Sequence, residues 1–461
     1  MASFKLPAIK AQLSQLGAKR ASLPIKLTHL RILIEAVLVV YLIALFSRIY
    51  VYGSMSKDQL FAVPMPFDAS AVFGGSAADQ DSLSLPAKGK VEFPLNVFLV
   101  NTPNYHFEVF VPVIETFAAV EGINTTVFTT EAGTAKWGLR NAMEVEVVER
   151  NNLPLVEATN EVFDNMGVVP DFIFLTTCPE DMRVLGQTLT NALAQGAHVM
   201  CIVHQAHLWD YKKIDQYAEE ISYMRPWIQR GQWHFATLSK HVHTYVRSNF
   251  PQFLDTPNRE YRPLLFHPIF NYSTGVNLDF NSNQPFAIIP GKFESERRNY
   301  NKIFTEYGQL GCDIALRLVG SGKIPNIADA FSQKIGFITN LNFFEFFQEM
   351  SKGVAIIPTL GNEHYLKSQS SSSVATSIIA GTPLIASQAF LTAHSQIPPE
   401  AVWMQGETET ELQVLQRIGH YDSKQWKEKK DRVLQLRDDL IRENVSRVSR
   451  MLNIIGARYK F

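Results

Sequence analysis

The chain has 461 residues, 46% of them hydrophobic and 19% charged, with a formal net charge of -1. That composition supports a large buried core, divided between two globular domains, and excludes a chain that is mostly disordered. Balanced charge with no basic stripe interleaved with aromatics excludes nucleic acid as a partner.

The amino end predicts a membrane anchor. Residues 1–31 carry Lys5, Lys10, Lys19, Arg20, Lys26 and Arg31, with no acid before Glu35. Residues 32–52 follow as an apolar run whose core is Ala36 to Phe46. The positive-inside rule keeps such a basic tail cytosolic and sends the rest into a lumen, as in a single-pass type II protein. The run is shorter than the roughly 20 apolar residues of a comfortable span, which suits the thinner membranes of the endoplasmic reticulum or Golgi. A cleaved signal peptide and an amphipathic helix lying on a surface are the competing readings, but Ser47-Arg48-Ile49 does not resemble the small-residue cleavage site of the former. Residues 53–92, rich in Ser, Ala, Gly, Asp and Pro, read as a flexible stem. Sequons at Asn124, Asn271 and Asn444 would be open to N-glycosylation in a lumen.

From there strands and helices alternate. Leu95 to Val100 is a strand, Val109 to Val120 a helix and Thr125 to Thr129 a second strand, which together make a β-α-β unit. Strand Asp171 to Thr176, helix Glu180 to Gln195, strand His198 to Val203, strand Trp233 to Leu238 and helix Lys240 to Ser248 continue the pattern. This is a doubly wound α/β domain over 93–275. The pattern lapses after Pro268 and resumes in a second α/β domain over 276–421. Its elements are strands at Phe286 to Pro290, Ile314 to Val319, Gly353 to Pro358 and Leu384 to Ala386, with a helix at Phe343 to Met350. Residues 422–461 form a long charged helix with apolar contacts at Leu434, Leu436, Leu440, Val445, Val448 and Leu452.

Cys178, Cys201 and Cys312 are widely separated and lack C-x-x-C spacing, which predicts neither a disulfide framework nor a zinc site, and the two that lie in or beside apolar strands read as buried free thiols. Ser370 to Ser387 is more telling. A serine cluster opens an apolar helix from Val374 to Ala380, Gly381 stops it, and Pro383 starts a buried strand. Hydroxyls then lie beside free N–H groups and the positive end of a helix dipole, which is an anion site. Ser371, Ser372 and Ser373 are its candidate ligands.

Leu318-Val-Gly-Ser-Gly322, Gly353 to Pro358 and the serine element ending Ala380-Gly-Thr-Pro383 lie in order across two α/β domains. Over Leu95 to Ile455 the chain resembles the GT-B fold glycosyltransferases, the nucleotide-sugar-dependent kind with a Gly-Thr-Pro-type donor motif. That resemblance implies a fold of two Rossmann-like doubly wound domains and hexosyl transfer. It places a nucleotide-sugar co-substrate on the second domain and a glycan, glycolipid or small-molecule acceptor on the first. The tail would cross back to the first domain.

Such chemistry requires the leaving diphosphate to be neutralised by a metal or by preorganised donors and cations. No Asp-x-Asp motif occurs in the two α/β domains, so no metal or resident cofactor is expected. Gly291, Lys292, Arg297 and Arg298 follow the first strand of the second domain, in the loop that by resemblance faces the diphosphate. Gly320 and Gly322 could let backbone approach the donor, and Glu363 and His364 hold the position that faces the hexose. Ser373 matches the hydroxyl beside the phosphates. The family's usual glutamates are replaced by Thr376 and Ser368. That departure keeps open an inactive GT-B-like binding or scaffold protein. A nicotinamide-dependent oxidoreductase is disfavoured, because Pro325 stands where a dinucleotide fingerprint needs glycine. For an inverting reaction the acceptor needs a base. His106, after the first strand, matches the family's catalytic histidine, and His204, at a strand end, is the second candidate.

Overall fold

The computed structural model describes residues 89–458, apart from 104, 131–147, 211, 273–284, 295–297, 299, 312 and 327–333. The expected anchor at 32–52, Arg297, Cys312 and the domain boundary at 275/276 lie outside the described residues. Among the described residues no helix is long and apolar enough to cross a membrane.

The first sheet contains β1 (Gly89–Asn101), β2 (Val120–Thr129), β3 (Leu155–Glu157), β4 (Phe172–Leu175), β5 (His198–Val203), β6 (Trp233–Thr237) and β7 (Leu264–Leu265). Its order is β3-β2-β1-β4-β5-β6-β7, parallel throughout. Helices α1 (Phe107–Ala118), α2 (Asn160–Asn165), α3 (Cys178–Ala194), α4 (Ala218–Gln229) and α5 (Lys240–Phe253) join the strands. β1 begins at Gly89, so the expected stem ends inside a strand. The run Ile173, Phe174, Leu175 is apolar at every position because both faces of the sheet are covered. Period-two alternation divides β1 accordingly. Val97 and Leu99 enter the core shared with the last helix, and Phe98 and Val100 enter the core beneath α3 and α5.

The second sheet contains β8 (Phe286–Lys292), β9 (Ala315–Ser321), β10 (Ile335–Thr339), β11 (Ala355–Ile356), β12 (Leu384–Ala386) and β13 (Val402–Met404). Its order, β10-β9-β8-β11-β12-β13, is again all parallel. Six helices accompany it among the described residues: α6 (Tyr300–Leu310), α7 (Phe343–Lys352), α8 (His364–Lys367), α9 (Ser372–Ala380), α10 (Gln388–Ala393) and α11 (Glu411–Ile418). Both sheets thus reverse direction once, between β1 and β4 and between β8 and β11. In open parallel sheets that reversal creates a crevice at the strands' carboxyl ends.

Helix α12 (Ser423–Arg458) belongs to both domains. On the second domain Leu434 covers Gly381 and Arg437 donates to the Ile379 carbonyl, and the same Arg437 nitrogen donates to the Tyr272 carbonyl. On the first, Asn453 accepts from the Glu92 amide at 2.8 Å and donates to the Lys90 carbonyl at 2.9 Å. Val433, Leu440, Val448 and Leu452 are buried in one apolar cluster with residues of both domains. Truncating one of them costs about 2–5 kcal/mol in a close-packed core.

Two expectations are corrected. Cys178 and Cys201 form a disulfide, with Cα atoms 5.2 Å apart. Sequence spacing concealed it because the pairing is set by the sheet: β4 lies beside β5 with Leu175 opposite Cys201, and the chain turns at once into α3. Asn444 is not available for glycosylation. Its side chain is buried, accepting from the His267 amide at 2.9 Å and donating to the His267 carbonyl at 2.6 Å.

Candidate active site

His106 stands at the β1/β4 crevice, immediately before α1, with a left-handed backbone at φ 64°. A polar network fixes this approach. Thr177 donates through Oγ1 to Asn101 Oδ1 at 2.8 Å, and Asn101 Nδ2 donates to the carbonyls of Pro103 and Tyr105, both at 3.2 Å. Beneath it the Asp181 carboxylate accepts from the Thr102 amide at 2.7 Å, the Thr102 hydroxyl at 2.8 Å and the Thr177 amide at 2.8 Å. Burial pushes Asp181 up to about 7 although these donors pull it down.

The His106 carbonyl accepts the first two helical bonds of α1, from Val109 and Phe110. Its Nδ1 meets Glu108 Oε1 at 3.2 Å. Burial works to raise the Glu108 carboxyl, but the hydrogen bond and charge of His106 outweigh it and hold the group below its ordinary value. Nε2 of His106 has no hydrogen-bond partner among the described residues. A ring whose Nδ1–H faces a carboxylate keeps its lone pair on Nε2, the arrangement of an oriented general base.

His204 joins His106 directly. The two rings stack with centroids 4.0 Å apart and planes 14° apart, and His204 Nε2 donates to the Thr176 carbonyl at 2.8 Å. Burial, and then the proximity of His106, lower His204 to about 3. The disulfide lies just beneath, tying the residue after Thr177 to the strand that ends at Val203.

The second domain closes on this edge. Gln205 and Gln369 form an antiparallel bridge, and the Ala206 amide donates to the Ser368 carbonyl at 2.9 Å. His207 stacks on His364 at 4.0 Å, with Ser368 Oγ 3.1 Å from His207 Nδ1 and 3.3 Å from His364 Nδ1. Burial and the neighbouring His364 lower the His207 imidazole. His241, at the start of α5, places its two ring nitrogens 3.1 Å from the Ala393 carbonyl and 3.0 Å from the Gln369 carbonyl. Glu363 is turned outward, paired with Lys367.

The serine helix starts at this seam. Ser371 precedes α9 without capping it through its side chain, and the hydroxyls of Ser371, Ser372 and Ser373 have no partner among the described residues. Ser372 is exposed, whereas Ser371 and Ser373 are buried at 6% and 4% relative accessibility. A small pocket between the domains is lined by Ser239, Ser370, Ser371 and His394. Thr376 lies inside the helix and is buried. Gly381 ends the helix at φ 68°, as its position in the sequence predicts.

The β8/β11 crevice holds the remaining predicted residues. Lys292 is exposed at the end of β8, 3.8 Å from Glu294. Arg298 spans the crevice: Nε donates to Thr359 Oγ1 at 2.8 Å, and its terminal nitrogens donate to the carbonyls of Pro290 at 2.5 Å and Lys292 at 3.1 Å. Its fork is therefore used within the domain. Gly320 lies opposite Gly291 in the ladder, and a β-carbon on it would meet the Gly291 oxygen at 1.9 Å. That contact accounts for Gly320 without a donor. Gly322, at φ 112°, backs onto Phe293. Thr359 takes φ 43°, unusual for a β-branched residue, and its amide donates to Glu411, which burial pushes up to about 7.

Sequence reading overlooked Glu108, Asp181, Ser239 and Glu411. Only the first left a signal, an acid in the first turn of the helix that His106 opens. Among the described residues no group of three or more His, Cys, Asp or Glu could hold a metal ion.

No family model and no curated protein matches the chain. Among solved structures, Anabaena HepE in complex with UDP and glucose is similar at a TM-score of 0.48 and 12% identity, over 80% of this chain and 100% of that one. Sucrose-phosphate synthase from Thermosynechococcus elongatus is similar at 0.47 and 15%, over 80% of this chain and 98% of that one. Arabidopsis thaliana UGT89C1 complexed with UDP gives 0.45 and 10%, over 78% and 99%. Identities this low say nothing of substrate. Two parallel sheets with a single reversal each, and a last helix that packs on both, are the two Rossmann-like domains that the GT-B resemblance implies.

Proposed function

We propose that this protein is a metal-independent glycosyltransferase that moves a sugar from a nucleotide-sugar to an acceptor hydroxyl. The observation that carries this reading is His106, held by Glu108 with no partner on Nε2 among the described residues, and stacked on His204, whose neighbour Gln205 bridges to Gln369 just before the serine helix of the other domain. His106 Nε2 takes the acceptor proton as the acceptor oxygen bonds to the anomeric carbon. The bond from that carbon to the diphosphate oxygen breaks, and the diphosphate leaves with the electron pair. The first turn of α9, the hydroxyls of Ser371, Ser372 and Ser373, and Lys292 stabilise the charge that develops. Arg298 shapes the loop rather than offering its own N–H groups.

The disulfide supports a luminal setting, because such bonds persist in oxidising compartments. It agrees with a type II anchor at 32–52 in the endoplasmic reticulum or Golgi membrane. The second reading is a GT-B-like binding protein without turnover, favoured by Thr376 in place of the usual glutamate.

Thermal-shift titration of the full chain with UDP-, GDP- and ADP-sugars tests the proposal, since a bound donor raises the melting point by mass action. One nucleotide class should shift it, and Lys292→Ala should shrink that shift. Release of nucleoside diphosphate from the bound donor separates enzyme from binding protein. No shift with any of the three would sink both readings.

A further inference from the structure

We propose that His204 is a positioning residue: its ring is a neutral stacking platform that holds the His106 imidazole in place and stabilises the cation formed when His106 takes a proton. The assignment rests on the reading of His106 as the base, and it explains why two histidines share one crevice.

Hydrogen bonds settle the two tautomers. A carbonyl only accepts, so the Thr176 oxygen requires the proton of His204 to sit on Nε2. The Glu108 carboxylate requires a proton on Nδ1 of His106, leaving its Nε2 as the basic atom. The rings are stacked at 4.0 Å, where two positive charges would repel strongly. One proton can therefore enter the pair, and the carboxylate draws it to His106. The charged and titratable groups around His106 are Glu108 on α1, Tyr105 on the preceding loop with Glu180 and Asp181 of α3 beyond it, and His204 after β5. Among the described residues His204 is the ring stacked parallel to it, whereas Tyr105 meets it at 75°. A neutral aromatic face is attractive to a cation lying over it, which is the service a platform provides.

Histidine-selective isotope labelling of the full chain and NMR titration from pH 4 to 9 test this without a substrate. His106 should titrate, and His204 should stay in the Nε2–H form throughout pH 5 to 8. His204→Phe, which keeps a flat face and cannot titrate, should leave the His106 midpoint in place. His204→Gln, which keeps a donor for the Thr176 carbonyl but loses the ring, should lower that midpoint by about 0.5 unit. His204→Ala should lower it equally, and melting curves identify any variant that is misfolded. Equal midpoints in all variants, or a shift in His204→Phe as large as in His204→Gln, would overturn the platform. Titration of His204 in place of His106 would exchange their roles. Absence of donor binding or turnover in the wild-type chain would remove the glycosyltransferase reading and leave the titration result standing.

Discussion

Ser239 Oγ and Ser370 Oγ lie 2.7 Å apart, one from each domain, although 131 positions separate them in the chain. With the Gln205/Gln369 bridge they fasten the start of the serine helix to the first domain. The candidate phosphate cradle is thereby built at a joint, where domain closure and donor binding would affect one another. Replacing either serine by alanine should cost about 1 kcal/mol, and the double variant little more than either single one. Urea unfolding of the four chains measures that coupling. Full additivity would mean that the hydroxyls do not interact in solution.

Gly381→Ala should be strongly destabilising for two separate reasons. Its φ of 68° is unfavourable for alanine, and the new β-carbon would lie 2.5 Å from Leu434 Cδ2. Backbone strain of about 1–2 kcal/mol and overpacking of about 1–3 kcal/mol together predict a clear fall in melting temperature. Adding Leu434→Ala should recover the packing part only.

Asp181 predicts stability that falls as pH rises. Burial lifts its carboxyl from 3.8 to about 7 in the folded state, so the native protein holds a proton that the unfolded chain has released. The contribution is complete below pH 4 and is lost as pH rises through 7. Asp181→Asn should flatten this part of the profile, although it lowers stability overall by spoiling the bonds to Thr102 and Thr177. Denaturation midpoints at half-unit intervals between pH 4 and 8 provide the check.

Lys430 acts one window higher. It is 1% exposed on α12, its ammonium donates to the Ser351 carbonyl at the end of α7, and burial lowers it from 10.5 to about 7. The unfolded chain then binds the extra proton, so this contribution is present in full above pH 10.5 and lost as pH falls through 7. Lys430→Met should stabilise the protein at pH 7 and remove the dependence. An unchanged slope between pH 7 and 10 would show that the amine reaches water.

Much of the fold was legible because both sheets are buried on both faces. Strands such as His198–Val203 and Leu384–Ala386 announce themselves as apolar runs, and Gly381 marks a helix end by its conformational freedom. Short edge elements were not legible. Leu155–Glu157, Leu264–Leu265 and Val402–Met404 have two or three residues each, too few for any period to register. The candidate site was legible only as two positions, since His106 and His204 both follow strands. Their stacking was not, because it depends on strand order, as does the Cys178–Cys201 bond. Arg298 illustrates the opposite case: a cation in the expected loop whose donors are spent on Thr359 and two carbonyls.

The bonds from Asn453 to Lys90 and Glu92 set the first strand beside the closing helix. Entry and exit of the folded unit are neighbours, so a circularly permuted gene could join them by a short bridge. New ends could then open at a surface turn such as Gly167, where an added side chain meets nothing within 4 Å. A permuted protein of that design would free the folded unit from whatever precedes residue 89 while keeping every strand in its register.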